Sequence, residues 1–169
     1  GINLGAPGDR RAHDGTLWLE HPTIGGMSPK VAVEVTGSPT WFRRHSANVR
    51  GDGLAWVTAS GVEGAERIVV RLRPGDPKSA SRPSPRPYAV RLYFLEPNES
   101  IQPGQRVFDV TLQGKPVLER FDIVNEAGGP WRSLVRTFPH QAIADDLTVT
   151  LHPTTPRGAV LCGIEAVAE

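Results

Sequence analysis

The sequence predicts an all-β fold, a two-sheet jelly-roll β-sandwich. Three observations carry this: short segments that alternate apolar and polar residues, turn signals between them, and no helix-length periodic window. Val31, Val33 and Val35 interleave with Ala32, Glu34 and Thr36. Ile68, Val70 and Leu72 interleave with Val69, Arg71 and Arg73, and Val90, Leu92 and Phe94 with Arg91, Tyr93 and Leu95. Phe108, Val110 and Leu112 then face away from Asp109 and Thr111, and Leu147, Val149 and Leu151 from Thr148, Thr150 and His152. Such alternation puts one face of a strand in a core and leaves the other wetter. Only Ala159 to Val167 is apolar on both sides except at Glu165, as suits a strand near the middle of a sheet. Gly25-Gly26, Gly37-Ser38-Pro39, Gly51-Asp52-Gly53, Gln113-Gly114 and Gly128-Gly129-Pro130 separate the runs with turn chemistry. The expected core includes Val33, Ile68, Val70, Leu92, Phe94, Phe108, Val110, Val149, Leu151 and Ile164.

The 169 residues fit one domain, 1–169, and the opening Gly1-Ile2-Asn3-Leu4 suggests a piece of a longer protein. The Pro-rich, basic segment Arg73 to Pro87 is expected to be an extended surface loop, not a domain boundary. With 19 Lys+Arg against 18 Asp+Glu the net charge is +1, so no whole-protein field attracts nucleic acid or an anionic membrane. The single cysteine, Cys162, excludes an internal disulfide and a multi-thiolate zinc site. It lies in the most apolar run and is expected to be buried and inert.

Catalytic patterns are weak. Glu96, Glu99, Asp145 and Asp146 lack the pairing a glycosidase needs and read equally well as turn and rim residues. His13, His21, His45, His140 and His152 show no spacing that puts two ligands on one helix face, and no nucleophile elbow or phosphate-cradling loop appears. Arg50-Gly51-Asp52 is ordinary turn chemistry. No Asp-rich loop predicts calcium, and no cofactor is expected.

The stretches Tyr88-Ala89-Val90-Arg91-Leu92-Tyr93-Phe94-Leu95-Glu96, Gly104 to Lys115 and Phe121-Asp122-Ile123-Val124-Asn125-Glu126-Ala127-Gly128-Gly129 resemble the malectin family. So do the opening Ile2-Asn3-Leu4-Gly5 and the ending Val160-Leu161-Cys162-Gly163-Ile164-Glu165. The segments Gly15 to Pro22 and Phe42 to Trp56 look like bacterial malectin-like domains. The resemblance implies a galactose-binding-like jelly roll that binds carbohydrate without catalysis, in an extracytoplasmic setting: periplasmic, cell-surface or secreted. The family's sugar-contacting aromatic pair is replaced by Pro97-Asn98-Glu99, and Thr154 to Gly158 offers no acid, so the fold transfers while diglucose specificity does not.

A sugar presents apolar C–H faces and a ring of hydroxyls, so its site joins an aromatic plate to polar side chains. The expected ligand-binding residues are Trp18, Trp41, His45, Trp56, Tyr93 and Glu96, around one end of the sandwich, with Tyr93 on the wetter face of its strand foremost. The expected partner is a glycan, or a neighbouring domain of the parent protein if the module has lost sugar binding and serves as a docking domain.

Overall fold

The computed structural model describes residues 1–73 and 84–169. Most of the Arg73 to Pro87 segment therefore lies outside the described residues, and its last two, Arg86 and Pro87, already belong to a strand.

Two sheets form the sandwich. The first holds β1 (Ile2–Leu4), β2 (Arg10–Arg11), β3 (Leu17–His21), β5 (Arg50–Gly51), β7 (Arg86–Phe94), β10 (Arg132–Ile143) and β13 (Gly163–Ala168), in the order β2-β3-β1-β13-β7-β10-β5. The second runs β12-β6-β11-β8-β9, from β12 (Val160–Leu161), β6 (Ser60–Arg71), β11 (Asp146–Pro153), β8 (Phe108–Leu112) and β9 (Lys115–Phe121). The long strand β4 (Val33–Arg43) also pairs with β6. Two short α-helices, α1 (Ala55–Thr58) and α2 (Ile123–Ala127), and a 3-10 turn at Ser46–Asn48 complete the described structure. Asp122 caps α2 by accepting from the Asn125 N–H at 3.1 Å, and Gly128 ends it in the left-handed region at φ 74°.

Alternation puts the expected residues between the sheets. Val90, Leu92, Phe94 and Ile164 from the first sheet meet Ile68, Val70, Phe108, Val110, Val149 and Leu151 from the second, all buried. Phe94, Phe108 and Phe121 form an aromatic cluster with centroids 4.8 to 6.1 Å apart. Val33 is only half-buried, because β4 is an edge strand whose outer side has no covering neighbour. Val31 precedes β4 and is exposed, so the alternating Val31–Val35 run begins outside the strand.

Two further differences arise from coverage. The apolar run Ala159 to Val167 is not one strand: it leaves the second sheet after Leu161 and joins the first at Gly163. Cys162 makes the step, donating its N–H to Tyr93 and accepting from Leu4, both at 2.9 Å. The outer face of the first sheet is also dry at its centre. Trp18 lies there with no exposed surface, edge-on to Tyr93 at 5.0 Å and to Trp56 at 5.9 Å. α1 closes over this patch only because position 163 is glycine: a Cβ there would stand 2.5 Å from Val57 Cγ1 and 2.9 Å from Trp18 Cζ3.

Phe108→Ala is expected to cost about 3–5 kcal/mol, read as a lowered urea midpoint, because its ring is enclosed by two others and the cavity would close only in part. Burial pushes the Cys162 thiol well above its ordinary pKa. A thiol reagent is therefore expected to label the native protein no faster than it unfolds, and the denatured chain at once.

Candidate functional site

The six sequence-predicted residues do not form one site. Trp18, Tyr93 and Glu96 are inside the protein, at 0%, 5% and 0% exposure. They are corrections to the expected plate, and the reason is common to all three: alternation marks which side of a strand a residue faces, not whether another segment covers that side. Here the 46–58 segment with α1 covers Trp18 and Tyr93, and Arg106 covers Glu96.

The polar groups of Tyr93 and Glu96 each have a structural task, whereas the buried Trp18 indole N–H has no hydrogen-bond partner. Tyr93 donates its hydroxyl to Glu165 Oε2 at 3.1 Å, and the same oxygen takes Arg91 Nη1 at 2.9 Å, while Thr16 Oγ1 donates to Oε1 at 3.1 Å. Burial, reinforced by the Glu165 carboxylate, pushes the Tyr93 phenol well up and keeps it a neutral donor. Glu96 accepts Arg106 Nε at 2.6 Å and the Asn98 N–H at 3.0 Å. Arg106 also donates to Glu63 Oε2 at 2.8 Å and to the Gly158 carbonyl. Burial raises the Glu96 pKa, and the Arg106 guanidinium opposes that shift. This network fills the region beside Pro97-Asn98-Glu99, so a carboxylate that sequence offered to sugar hydroxyls is used up inside the fold.

His45 and Trp56 do meet. With Arg43, Arg44, Ser46, Pro7, Ala59 and Ser60 they line an open cleft of about 240 Å³. His45 precedes the 3-10 turn Ser46–Asn48 and its Nδ1 accepts the Ala47 N–H at 3.2 Å, which fixes the ring and leaves Nε2 free. Trp56 is half-buried, held by the edge of Trp18 and covered on a face by the Arg10 guanidinium, 4.8 Å from its ring centre. Arg43 is anchored by bonds to the carbonyls of Gly5 and Ala6. The cleft thus combines an aromatic side chain with cationic and hydroxyl donors.

Trp41 stands apart, half-buried and 5.6 Å from His21, and does not line that cleft. A second cleft of about 220 Å³ lies between β3 and the 23–33 segment, lined by Asp9, Glu20, His21 and Lys30 among apolar groups. Sequence reading missed Arg10 altogether. Its approach to Trp56 comes from the register that sets Arg10 opposite Trp18 on β3, and a two-residue strand leaves no periodic signal. Among the described residues no three His, Cys, Asp or Glu side chains gather as a metal site, and no helix is long and apolar enough to cross a membrane.

Residues 84–157 match the family model described as Malectin domain. Over 81 residues the chain is 36% identical to Receptor-like protein 4 of Arabidopsis thaliana, an overlap of 47% of this chain and 13% of that protein. Among solved structures, a β-glucuronidase of Bacteroides uniformis superimposes on 99% of this chain and 18% of its own with a TM-score of 0.71 at 14% identity. The ANXUR2 extracellular domain of Arabidopsis thaliana does so over 99% of this chain and 47% of its own, with a TM-score of 0.69 at 14% identity. At these identities the superpositions establish the fold, and the chain spans less than half of each of these proteins. A curated relative from a plant, and solved neighbours from a plant and a bacterium, do not restrict the domain to a bacterial type.

Arg106→Ala is expected to destabilise by about 3–5 kcal/mol in urea unfolding, since it leaves the Glu96 carboxylate buried without a counter-charge. Tyr93→Phe, which removes only the hydroxyl bond to a charged acceptor, is expected to cost about 1.5–3 kcal/mol.

Proposed function

We propose that this chain is a malectin-like domain and serves as a non-catalytic carbohydrate-binding module of a larger extracytoplasmic protein, with the sugar seated against Trp56; the match of residues 84–157 to the Malectin domain model supports this. The observation that carries this reading is the meeting of Trp56 with His45, Arg43, Arg44 and Ser46 in one open cleft. Hydroxyl hydrogen bonds largely replace bonds to water, so net affinity for a sugar comes from the aromatic surface, while the polar groups set orientation. Of the predicted residues, Trp56 and His45 remain site residues under this proposal. Trp41 has the exposure for a contact but stands at a different place on the surface.

The absence of catalysis is supported by where the acids are used. Glu96 and Glu165 are buried in ion pairs, Asp146 pairs with Arg71 at 2.9 Å, and no carboxylate lines the Trp56 cleft. A glycosidase would need two across the bond to be cut. The alternative, a domain that docks on another part of its parent protein, draws support from Ile24, Met27 and Val31, exposed together on the 23–33 segment.

A glycan array followed by calorimetry tests the proposal. Trp56→Ala is expected to weaken binding at least tenfold and, because Trp56 packs on Trp18, to lower the urea midpoint, so binding is read without denaturant at a temperature where the variant is folded, while Trp41→Ala leaves binding intact. Binding to no glycan, or binding indifferent to Trp56, favours the docking domain.

A further inference from the structure

The strongest unassigned feature is a concentration of unpaired positive charge in a chain whose net charge is only +1. Arg10, Arg43 and Arg44 have no carboxylate partner among the described residues, where the ion pairs use other arginines. Asp9, next to Arg10 in sequence, is turned to the backbone N–H of Glu20 at 2.9 Å. Arg10 is exposed, and its guanidinium lies over Trp56.

That placement has a steric and an electrostatic side. A neutral sugar stacking on this face of Trp56 must displace the guanidinium and lose the cation–π contact. A saccharide bearing a carboxylate needs no displacement, because a guanidinium over an aromatic ring keeps N–H donors that a carboxylate can take. Arg44 supplies a second charge on the cleft wall, and its only hydrogen bond among the described residues is to the Arg43 carbonyl. Resting on the carbohydrate-binding reading above, we infer that Trp56 and the arginines beside it, Arg44 on the cleft wall and Arg10 over the ring and outside the cleft lining, select acidic, carboxylate-bearing saccharides, and that Arg10 sets this preference.

The test compares, at low salt, a hexuronic-acid oligosaccharide with the neutral hexose oligosaccharide of the same length and linkage, and with dextran sulfate as a plain polyanion. Wild type is expected to bind the uronic-acid chain at least tenfold tighter than the neutral one, and the difference should shrink at high salt as exposed charges are screened. Arg10→Gln, which keeps a planar polar end without charge, should abolish the preference, and Arg10→Ala should do so while uncovering Trp56 for the neutral chain. Both variants sit on an exposed edge strand and should keep the wild-type urea midpoint. Equal binding of acidic and neutral chains, or a preference that survives both Arg10 variants, overturns this inference and leaves the carbohydrate-binding reading standing. Binding of dextran sulfate as tight as that of the uronic-acid chain and unaffected by Trp56→Ala also overturns it, since charge alone is then being read. Failure of every saccharide to bind overturns both.

Discussion

The burial of Trp18 on the outer side of the first sheet is the contact on which the proposed binding surface depends. A sandwich ordinarily hides one face of each sheet and leaves the other to water. Here a tryptophan on the outward side is fully enclosed, with Tyr93 against one part of it and Trp56 against another. Burying an indole this large stabilises whatever closes over it, and what closes over it is the segment from His45 through α1. That segment has little regular structure of its own: one 3-10 turn, a two-residue strand and a four-residue helix. Its order comes from docking on Trp18, from the Arg50 and Asp52 N–H bonds to Trp131 and Ser133, and from the smallness of Gly163.

Much of the sandwich is legible from alternation alone, because Val90, Leu92 and Phe94 lie between sheets whose inner faces follow a period of two. Tyr93 shows where that logic stops. It is on the outward side, as its position implies, yet outward is not exposed when a distant loop returns to cover it. Nothing local to Tyr88–Glu96 announces that the covering loop lies some forty residues earlier. Glu96 is misread for a related reason. A carboxylate at a strand end usually faces water, but the partner that draws this one inside, Arg106, sits across a loop with no pattern linking the two. The Phe42 to Trp56 segment was legible as unusual, since its aromatics and donors are mixed in a way a buried strand does not favour. The arrangement of those groups around Trp56 required the fold.

The two buried ion-pair networks divide the acids and bases of the chain into those that hold the architecture and those that face solvent. Arg91 and Arg106 serve Glu165, Glu96 and Glu63, and their charges are cancelled within the protein. Removing a partner from such a pair is costly, whereas the pair itself stabilises little beyond an apolar equivalent, so these networks fix which loop lies where more than how tightly the domain folds. Arg10, Arg43 and Arg44 belong to the other group. A chain close to electroneutrality can therefore present a locally cationic cleft, because its acids are used up elsewhere.

The step that the last apolar run makes from one sheet to the other at Cys162 has a consequence for how the domain comes apart. Val160–Leu161 is bonded to β6 while Gly163–Ala168 is bonded to β1 and β7, so consecutive residues are woven into both layers. Neither layer can be stripped away while the other keeps its full complement of strands. Amides on the two sides of Cys162 would then exchange with solvent in a single cooperative opening rather than layer by layer. A module wired in this way transmits a pull on one sheet directly to the other.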